Sequence, residues 1–358
     1  MKLRSTTFLV DRLNKAVLVL LAPLGVVYRL IIWARNRFYD IGVFPSKRLP
    51  CKVISIGNVT LGGTGKTPAV ITLAKYFQKR AVSVAVLSRG YGRKTKKTVL
   101  VTDGNEIQSD WKDVGDEAFL LAHSLNSVPI VVDNNRFRGG SFLIKSYNPD
   151  IIILDDAFQH RHIKRDIDVV LLNSIETLRG HRLIPFGNLR EPMGQLKRAD
   201  IIILSKTNLG DFPKDIHVEQ LSGAPLHKAE IKAEAFLKDN DNTKVPIHRF
   251  HNKKGVMVTS VGSPDGVSKI ADKVKLNVAT HLRFRDHHAY NQNDCNKIDS
   301  ALKEKKGDYV LTTEKDIFKL CSVFEKNNML NISKKVYSLP IKFVFQDNTL
   351  DEIWTQLS

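Results

Sequence analysis

Acid is in short supply in this chain. Thirty-seven aspartates and glutamates face 55 lysines and arginines over 358 residues, a formal charge of +18. That balance favours anionic partners, whether nucleic acid, anionic lipid headgroups or phosphorylated substrates. Cysteine is scarcer still: Cys51, Cys295 and Cys321 are too widely separated for a metal-ligand spacing or a paired disulfide framework. A reducing, cytosolic setting is the simpler reading. Internal repeats and low-complexity tracts are absent, and 42% hydrophobic residues is enough for ordinary cores, which excludes a disordered chain. The length points to two domains.

A long unbroken apolar run is also missing. The stretch from Ala16 to Ala34 comes nearest, but Pro23, Gly25 and Arg29 interrupt it. A spanning helix needs about 20 mostly apolar residues and tolerates a central charge poorly. No small-x-small cleavage site follows cleanly, as an exported leader would require. Residues 1–50 carry nine lysines and arginines against two acids. The preferred reading is an amphipathic helix lying in or dipping into the cytoplasmic leaflet, with a true span and a helix buried in the protein's own fold as the alternatives. Trp33, Tyr28 and Tyr39 suit the headgroup level, and Arg35, Arg37, Lys47 and Arg48 suit anionic lipid.

What the chain does have is strand and helix in alternation. Runs at Lys52–Ile56, Val82–Leu87, Pro129–Val132, Asp150–Leu154, Asp168–Leu172 and Asp200–Leu204 are apolar on both faces and are separated by helical stretches. This pattern predicts an α/β fold with a doubly wound, mostly parallel sheet. A second alternation from Gly255 to Thr313 predicts a smaller α/β domain. The expected organisation is an N-terminal membrane-associated helix region (1–48), a phosphate-loop nucleotide-binding core (49–209), a polar linker or β-ribbon (210–254) and a smaller C-terminal domain (255–358).

Between the run Val53–Ile56 and a helical stretch lies Gly57-Asn-Val-Thr-Leu-Gly-Gly-Thr-Gly-Lys-Thr-Pro68. Strand, glycine-rich turn and helix start together form a phosphate-binding loop, because the turn's N–H groups and those of the first helical turn converge on the phosphates. Thr60, Gly62, Gly63, Thr64 and Gly65 would form the cradle. Lys66 would reach the β- and γ-phosphates, and the Thr67 hydroxyl would ligate a metal ion. Thr60 stands where the general pattern has glycine, and an ordinary turn containing Lys-Thr is the alternative.

Other candidates sit at predicted strand ends, where open α/β sheets bind ligands. Asp155 and Asp156 end an apolar strand, the place of a magnesium-supporting carboxylate, although strand-end aspartates also cap helices. Asp116 opens a helix and is either a first-turn charge or a base beside the γ-phosphate. Arg89 and Arg93 can meet phosphate oxygens or lie in a solvated turn. Gln159 lies on the rim after Asp156. Arg190 and Glu191 occupy a similar, undecided loop. His287, in Phe284-Arg-Asp-His-His, is either a surface histidine or a group that tunes a carboxylate across an interdomain cleft.

Taken in order, Gly62-Gly-Thr-Gly-Lys-Thr-Pro68, Ser88-Arg-Gly-Tyr91, Gly115-Asp-Glu117, Leu154-Asp-Asp-Ala-Phe-Gln-His160, Gly187-Asn-Leu-Arg-Glu-Pro192, Asp286-His287 and Thr312-Thr-Glu-Lys-Asp316 closely resemble the tetraacyldisaccharide 4'-kinase family. The resemblance runs from the N-terminal helix to about residue 320. It implies ATP and Mg2+, an acylated disaccharide phosphate lipid as acceptor, a monomer without a nucleic-acid partner, and a position on the cytoplasmic face of a bacterial inner membrane. Asp116 is then the expected base, paired with His287. Lys66 and Thr67 hold phosphate and metal, Asp155 and Asp156 support the metal, and Arg89, Arg93, Gln159, Arg190 and Glu191 are candidates for substrate contact. Ala157 replaces a frequent glycine and Glu314 a frequent proline. A membrane-targeted GTPase would share the phosphate loop, but Ser205-Lys-Thr-Asn208 departs from an Asn-Lys-x-Asp guanine reader. A nucleic-acid-binding ATPase would share the charge, yet no recognition module of known type is present.

Overall fold

The computed structural model describes residues 23–93, 95–177 and 181–357. Residues 1–22, which hold the first part of the apolar segment expected at Ala16–Ala34, lie outside them. Helix α1 occupies residues 23–40. Two sheets follow, the first built from β1 (Lys52–Asn58), β2 (Val84–Ser88), β3 (Val99–Thr102), β4 (Ile130–Val132), β5 (Ile151–Asp155), β6 (Ile167–Asn173), β7 (Ile201–Ser205), β8 (Leu226–Ala233) and β15 (Ile341–Phe345). Their order is β15-β8-β7-β6-β1-β5-β2-β4-β3. The seven inner strands are parallel, and the two edge strands run antiparallel to their neighbours.

Strands buried on both faces require cover on both sides. Residues Ile54, Ile56 and Val86 project to one face, where α2 (Lys66–Lys79), α4 (Asp116–Ser124) and the C-terminal α11 (Thr349–Leu357) bring Leu73, Phe77, Leu121 and Ile353. Their strand neighbours Val53, Ala85 and Leu87 project to the other face and meet Leu143 of α5 (Arg136–Tyr147). The alternation follows directly from the two-residue period of a strand. A four-residue helix, α3 (Trp111–Val114), leads into α4.

The second sheet has the order β10-β9-β14-β13-β11-β12. Its strands are β9 (Phe236–Lys238), β10 (Lys244–Pro246), β11 (Lys254–Thr259), β12 (Asn277–Arg283), β13 (Tyr309–Thr313) and β14 (Val336–Leu339). Helices α7 (Pro264–Lys273), α8 (Gln292–Lys305) and α9 (Ile317–Lys326) alternate with the parallel strands, while α6 (Val218–Ser222) and α10 (Leu330–Ser333) are single turns. The chain passes between the sheets at β8 to β9 and again at β14 to β15, and the two crossings touch, the Glu234 N–H donating to the Pro340 carbonyl at 2.9 Å.

These crossings revise the expected boundaries. Residues 210–254 are not an irregular linker: β8 joins the first sheet and β9 the second. Nor does 255–358 form a separate unit, because β15 pairs with β8 and α11 packs on the first core. The polar texture of β8 has a physical reason. As the next-to-last strand it is buried chiefly at Ala229 and Ile231, with charged residues between them.

At the end of β1 the chain passes tightly under the turn after β5. A Cβ on Gly57 would come within 2.6 Å of the Phe158 Cβ and 2.7 Å of its backbone nitrogen. Because backbone cannot yield as a side-chain tip can, Gly57→Ala is expected to lower unfolding stability by about 1–3 kcal/mol. Urea unfolding monitored by circular dichroism checks this, and an unchanged midpoint would contradict the packing described.

Candidate active site

The loops that follow β1 and β7 in the first sheet and β11, β12 and β13 in the second line one cleft. Gly62, Gly63, Thr64, Gly65, Lys66 and Thr67 form one wall of it. Gly65 takes φ +89°, a left-handed conformation that suits glycine, and α2 begins at the next residue with its first N–H groups facing the cleft. The loop is held from behind by Ser205 Oγ, which donates to the Thr64 carbonyl at 2.7 Å, and by Lys206, whose ammonium donates to the Gly63 carbonyl. Thr60 lies outside the cleft. It is buried, bridges antiparallel to Leu189, and its flanking residues bond the 188–190 loop, with Leu61 N–H to Asn188 O at 2.6 Å and Arg190 N–H to Val59 O at 2.7 Å. A pleated backbone there accommodates threonine where the general pattern has glycine.

Asp155 and Asp156 are adjacent yet electrostatically opposite. Asp155 is fully buried, and burial together with the nearby Glu117 and Asp156 charges pushes its carboxyl well above the usual range. It accepts one bond, from Ser88 Oγ at 3.2 Å, and its Oδ1 has no partner. Asp156 takes φ +51° and turns to Lys66 Nζ at 3.4 Å and Arg190 Nη1 at 3.0 Å. Burial would raise it, but these two cations outweigh burial and hold it at about 2. An unpartnered buried carboxylate oxygen at a strand end fits a hard divalent cation. Among the described residues no group of three or more His, Cys, Asp and Glu side chains converges, so such a cation would take few protein ligands, as magnesium does when phosphates complete its shell.

Asp116 is the first residue of α4. Gly115 (φ +88°) and Gly90 (φ +68°) bring the preceding loop against it: a Cβ on Gly115 would lie 2.6 Å from the Tyr91 carbonyl, and one on Gly90 2.7 Å from that of Val114. Every cation near the Asp116 carboxylate comes from the second sheet's elements. His287 Nδ1 donates to it at 2.9 Å, Lys319 Nζ at 3.3 Å, and Lys315 Nζ stands 3.6 Å away. Burial would raise this carboxyl, yet the His287 bond and the two lysine charges prevail and hold it far below the usual carboxylate range. Asp116 is therefore an anion at any physiological pH. The His287 ring lies 4.5 Å from that of Tyr91.

The rim residues divide. Arg89 is exposed after β2. Arg93 turns inward, its Nη1 donating to the Lys97 and Val132 carbonyls at 2.7 and 3.1 Å, while Nε and Nη2 have no protein partner. Gln159 Nε2 bonds the Asn58 carbonyl at 2.8 Å. Glu191, expected as a substrate contact, is wholly buried between Asn36 Nδ2 at 3.0 Å and Arg198 Nη2 at 2.7 Å. It anchors α1, as do the Tyr28 hydroxyl bond to the Arg190 carbonyl at 2.8 Å and the Arg35 bond to the Gln159 carbonyl. Tyr39 likewise sits between Arg35 and Arg161. Tyr28 and Tyr39, expected at the headgroup level, are thus half-buried against protein partners, whereas Leu24, Val26, Val27, Leu30, Ile31 and Trp33 are exposed on α1, Trp33 at 65%.

Several contributors were not legible as such. Lys319 is buried against Asp116, Asp316 and Ser260, and Lys315 lines the cleft beside Asp116, Glu117 and Asp286. Their i, i+4 spacing across Asp316, itself bonded by the Ser260 N–H at 2.8 Å, was the available signal. Arg136 is completely buried behind Asp155, donating to the Asp133 carbonyl at 2.6 Å. Asn208 is occupied by the backbone of Ile231, as donor at 2.8 Å and acceptor at 3.1 Å, and so is not poised to read a base.

Comparison with known proteins points to one family. A family model described as tetraacyldisaccharide-1-P 4'-kinase matches residues 17–358. A tetraacyldisaccharide 4'-kinase of Chlorobium phaeovibrioides is 36% identical over 306 residues, covering 84% of this chain and 86% of that protein. One from Aquifex aeolicus is 33% identical over 300 residues, covering 84% and 89%. The crystal structure of Aquifex aeolicus LpxK in complex with ATP superposes with a TM-score of 0.76 at 30% identity, covering 94% of this chain and 98% of that one.

The raised Asp155 carboxyl has a consequence for stability. In the folded state it keeps a proton that the unfolded chain has shed, so its contribution turns unfavourable as pH rises above about 4. Asp155→Asn keeps the shape without titrating. In chelator-containing buffer it is expected to unfold at a higher temperature than wild type at pH 8 and at the same temperature at pH 4. Thermal unfolding at both pH values measures this, and coincident curves at pH 8 would refute the assignment.

Proposed function

This chain belongs to the tetraacyldisaccharide 4'-kinase family and is a kinase of lipid A biosynthesis, and on that premise we propose that it transfers the γ-phosphate of ATP to the 4'-hydroxyl of a tetraacylated glucosamine disaccharide 1-phosphate at the cytoplasmic face of a bacterial inner membrane. The observation that carries the reading is the meeting of Asp116 with His287 at 2.9 Å, next to Glu117 and Asp286, which line the cleft whose other wall is the phosphate loop. A donor grip and an ionised carboxylate are thus neighbours.

Phosphoryl transfer through a loose transition state asks the protein mainly to position reactants and neutralise charge. Lys66 and the N–H groups at the start of α2 bind the phosphates. Asp116 orients the attacking hydroxyl and takes its proton. Its low basicity is no obstacle, because in a loose transition state the hydroxyl proton becomes acidic only as the new P–O bond forms. Mg2+, held by Asp155 and the Thr67 hydroxyl, would neutralise phosphate charge when bound. Arg190 holds Asp156, which in turn faces Lys66, so that the lysine stays directed at the loop. Two sheets joined by paired crossings give a cleft that can exclude water and limit ATP hydrolysis.

An acceptor embedded by its acyl chains has to be met in the membrane. Among the described residues no helix is long and apolar enough to cross one. Instead α1 carries its exposed apolar side chains away from the Glu191 anchor, next to the active-site rim. This suits a helix lying in the interface.

Incubation with γ-labelled ATP and the detergent-dispersed acceptor is expected to label the lipid; an active preparation that leaves it unlabelled sinks the proposal. Asp116→Ala is expected to lower kcat by about 100-fold or more while changing the KM for ATP little. For the membrane contact, Ile31→Asp should reduce co-sedimentation with anionic phospholipid vesicles by about 10-fold without changing the thermal unfolding temperature. Equal sedimentation would remove α1 from the interface.

A further inference from the structure

Two lysines are buried among the described residues, Lys319 and Lys206. Lys319 has carboxylates on both sides, Asp116 at 3.3 Å and Asp316 at 2.8 Å. Lys206 forms no ion pair among the described residues. It is 5% exposed, and its ammonium donates to the Gly63 carbonyl. Glu176, the acid whose charge reaches it, is bonded by Asn188 Nδ2 at 2.8 Å. Burying an ammonium without an opposite charge is unfavourable. Burial accordingly pushes Lys206 down to about 8, with Glu176 resisting the fall and the charge of Lys66 adding to it. A cation retained under those conditions on the lining of a cleft points to an anion that arrives with the ligand.

The turn that carries Lys206 is built to hold it there. Ser205 Oγ lies 2.7 Å from the Thr64 carbonyl oxygen and 3.1 Å from that of Leu172, Thr207 Oγ1 donates to the Ala229 carbonyl at 3.1 Å, and Asn208 is spent on the backbone of Ile231. Three side chains of Ser205-Lys-Thr-Asn208 thus fasten the turn to the phosphate loop, β6 and β8. Lys206 takes φ +62°, a left-handed conformation uncommon outside glycine, and of the four residues it alone lines the cleft.

The start of α7 faces the same ammonium. A Cβ on Gly266 would stand 3.8 Å from Lys206 Nζ. Ser263 makes no side-chain capping bond to this helix, and its first-turn acid, Asp265, is exposed and paired with Arg283 at 2.8 Å. Lys206 therefore stands between the beginnings of α2 and α7, two helix ends that carry partial positive charge. Nothing there supplies the balancing negative charge.

We propose that Lys206 is an ATP-binding residue, a second cation beside Lys66, which holds the Gly63 carbonyl and whose buried charge the triphosphate balances. The inference rests on the reading of this cleft as an ATP site and assigns a use to a turn that is not poised to read a base. Lys66 acts from the phosphate loop itself. Lys206 acts on that loop from the β7 side and fixes the direction of its carbonyl.

The test titrates the full-length protein with ATP in Mg2+ buffer at pH 7 by calorimetry. Lys206→Met is expected to raise the Kd for ATP about 10-fold or more, and Lys206→Arg, which keeps a cationic donor, to recover most of the affinity. Without ATP, Lys206→Met is expected to unfold at the same temperature as wild type or higher, because an apolar chain of similar length replaces a charge that lacks its partner. In the kinase assay its KM for ATP should rise about 10-fold with kcat within about threefold. An unchanged Kd in Lys206→Met would overturn the proposal, as would a Lys206→Arg variant that binds no better than Lys206→Met. So would a lower unfolding temperature of the ATP-free Lys206→Met protein, which would make Lys206 a structural support of the loop. Wild-type protein that binds no ATP would instead remove the reading of the cleft, a failure visible before any variant is compared.

Discussion

One buried carboxylate joins the two halves of this molecule. Asp116 belongs to the first sheet's layer of helices, while His287, Lys315 and Lys319 all come from elements of the second sheet. Removing a carboxylate from water costs several kcal/mol unless opposite charges and donors meet it. Here all of that compensation is supplied from across the cleft. Closure of the two sheets and ionisation of Asp116 are thus one event, and separating the sheets would cost the carboxylate its partners while Lys319 kept Asp316 and Lys315 kept Asp286. The same cluster sits where the phosphate loop's wall ends, so the device that closes the cleft also equips it.

Close approach of backbone makes that meeting possible. Gly90 and Gly115 lie against each other's loops, and a Cβ on Gly262 would come 2.8 Å from the Gly63 nitrogen. The second sheet's loop thereby reaches the phosphate loop itself. Parallel topology does the rest: strands of both sheets end at the cleft, so each loop that follows a strand arrives at the same place. The side-by-side crossings at β8–β9 and β14–β15 fix how far apart the two sets of loops can stand.

The rim couples this chemistry to the N-terminal helix. Glu191 is buried with Asn36 and Arg198 as partners, and the adjacent Arg190 reaches Asp156, which faces Lys66. Two neighbouring residues of one loop therefore look in opposite directions, one holding α1 and the other the charge network of the phosphate loop. The apolar side chains left exposed on α1 stand close to the cleft for this reason, a placement that suits a kinase whose acceptor is anchored by acyl chains.

The parallel core was legible in the sequence because each of its strands is apolar on both faces and each is followed by a turn with distinct chemistry. Local order also revealed the phosphate loop, Asp155, Asp156 and the start of α4 at Asp116. Those features depend on neighbours along the chain, and the chain states them directly. The next-to-last strand β8 was hidden because charges interrupt it, and the edge strand β15 because it finds its place only by pairing with β8 from the far end of the chain. The inward turn of Arg93 and the burial of Glu191 were hidden as well, because an exposed-looking residue reveals its partner only when the segment that bears it, β4 with Val132 for the one and α1 with Asn36 for the other, is in place. Sequence by itself determined which groups could bind phosphate and carry charge. Tertiary structure decided which of them meet, because the energy of a buried ion pair depends on a distance in space that no spacing in sequence sets.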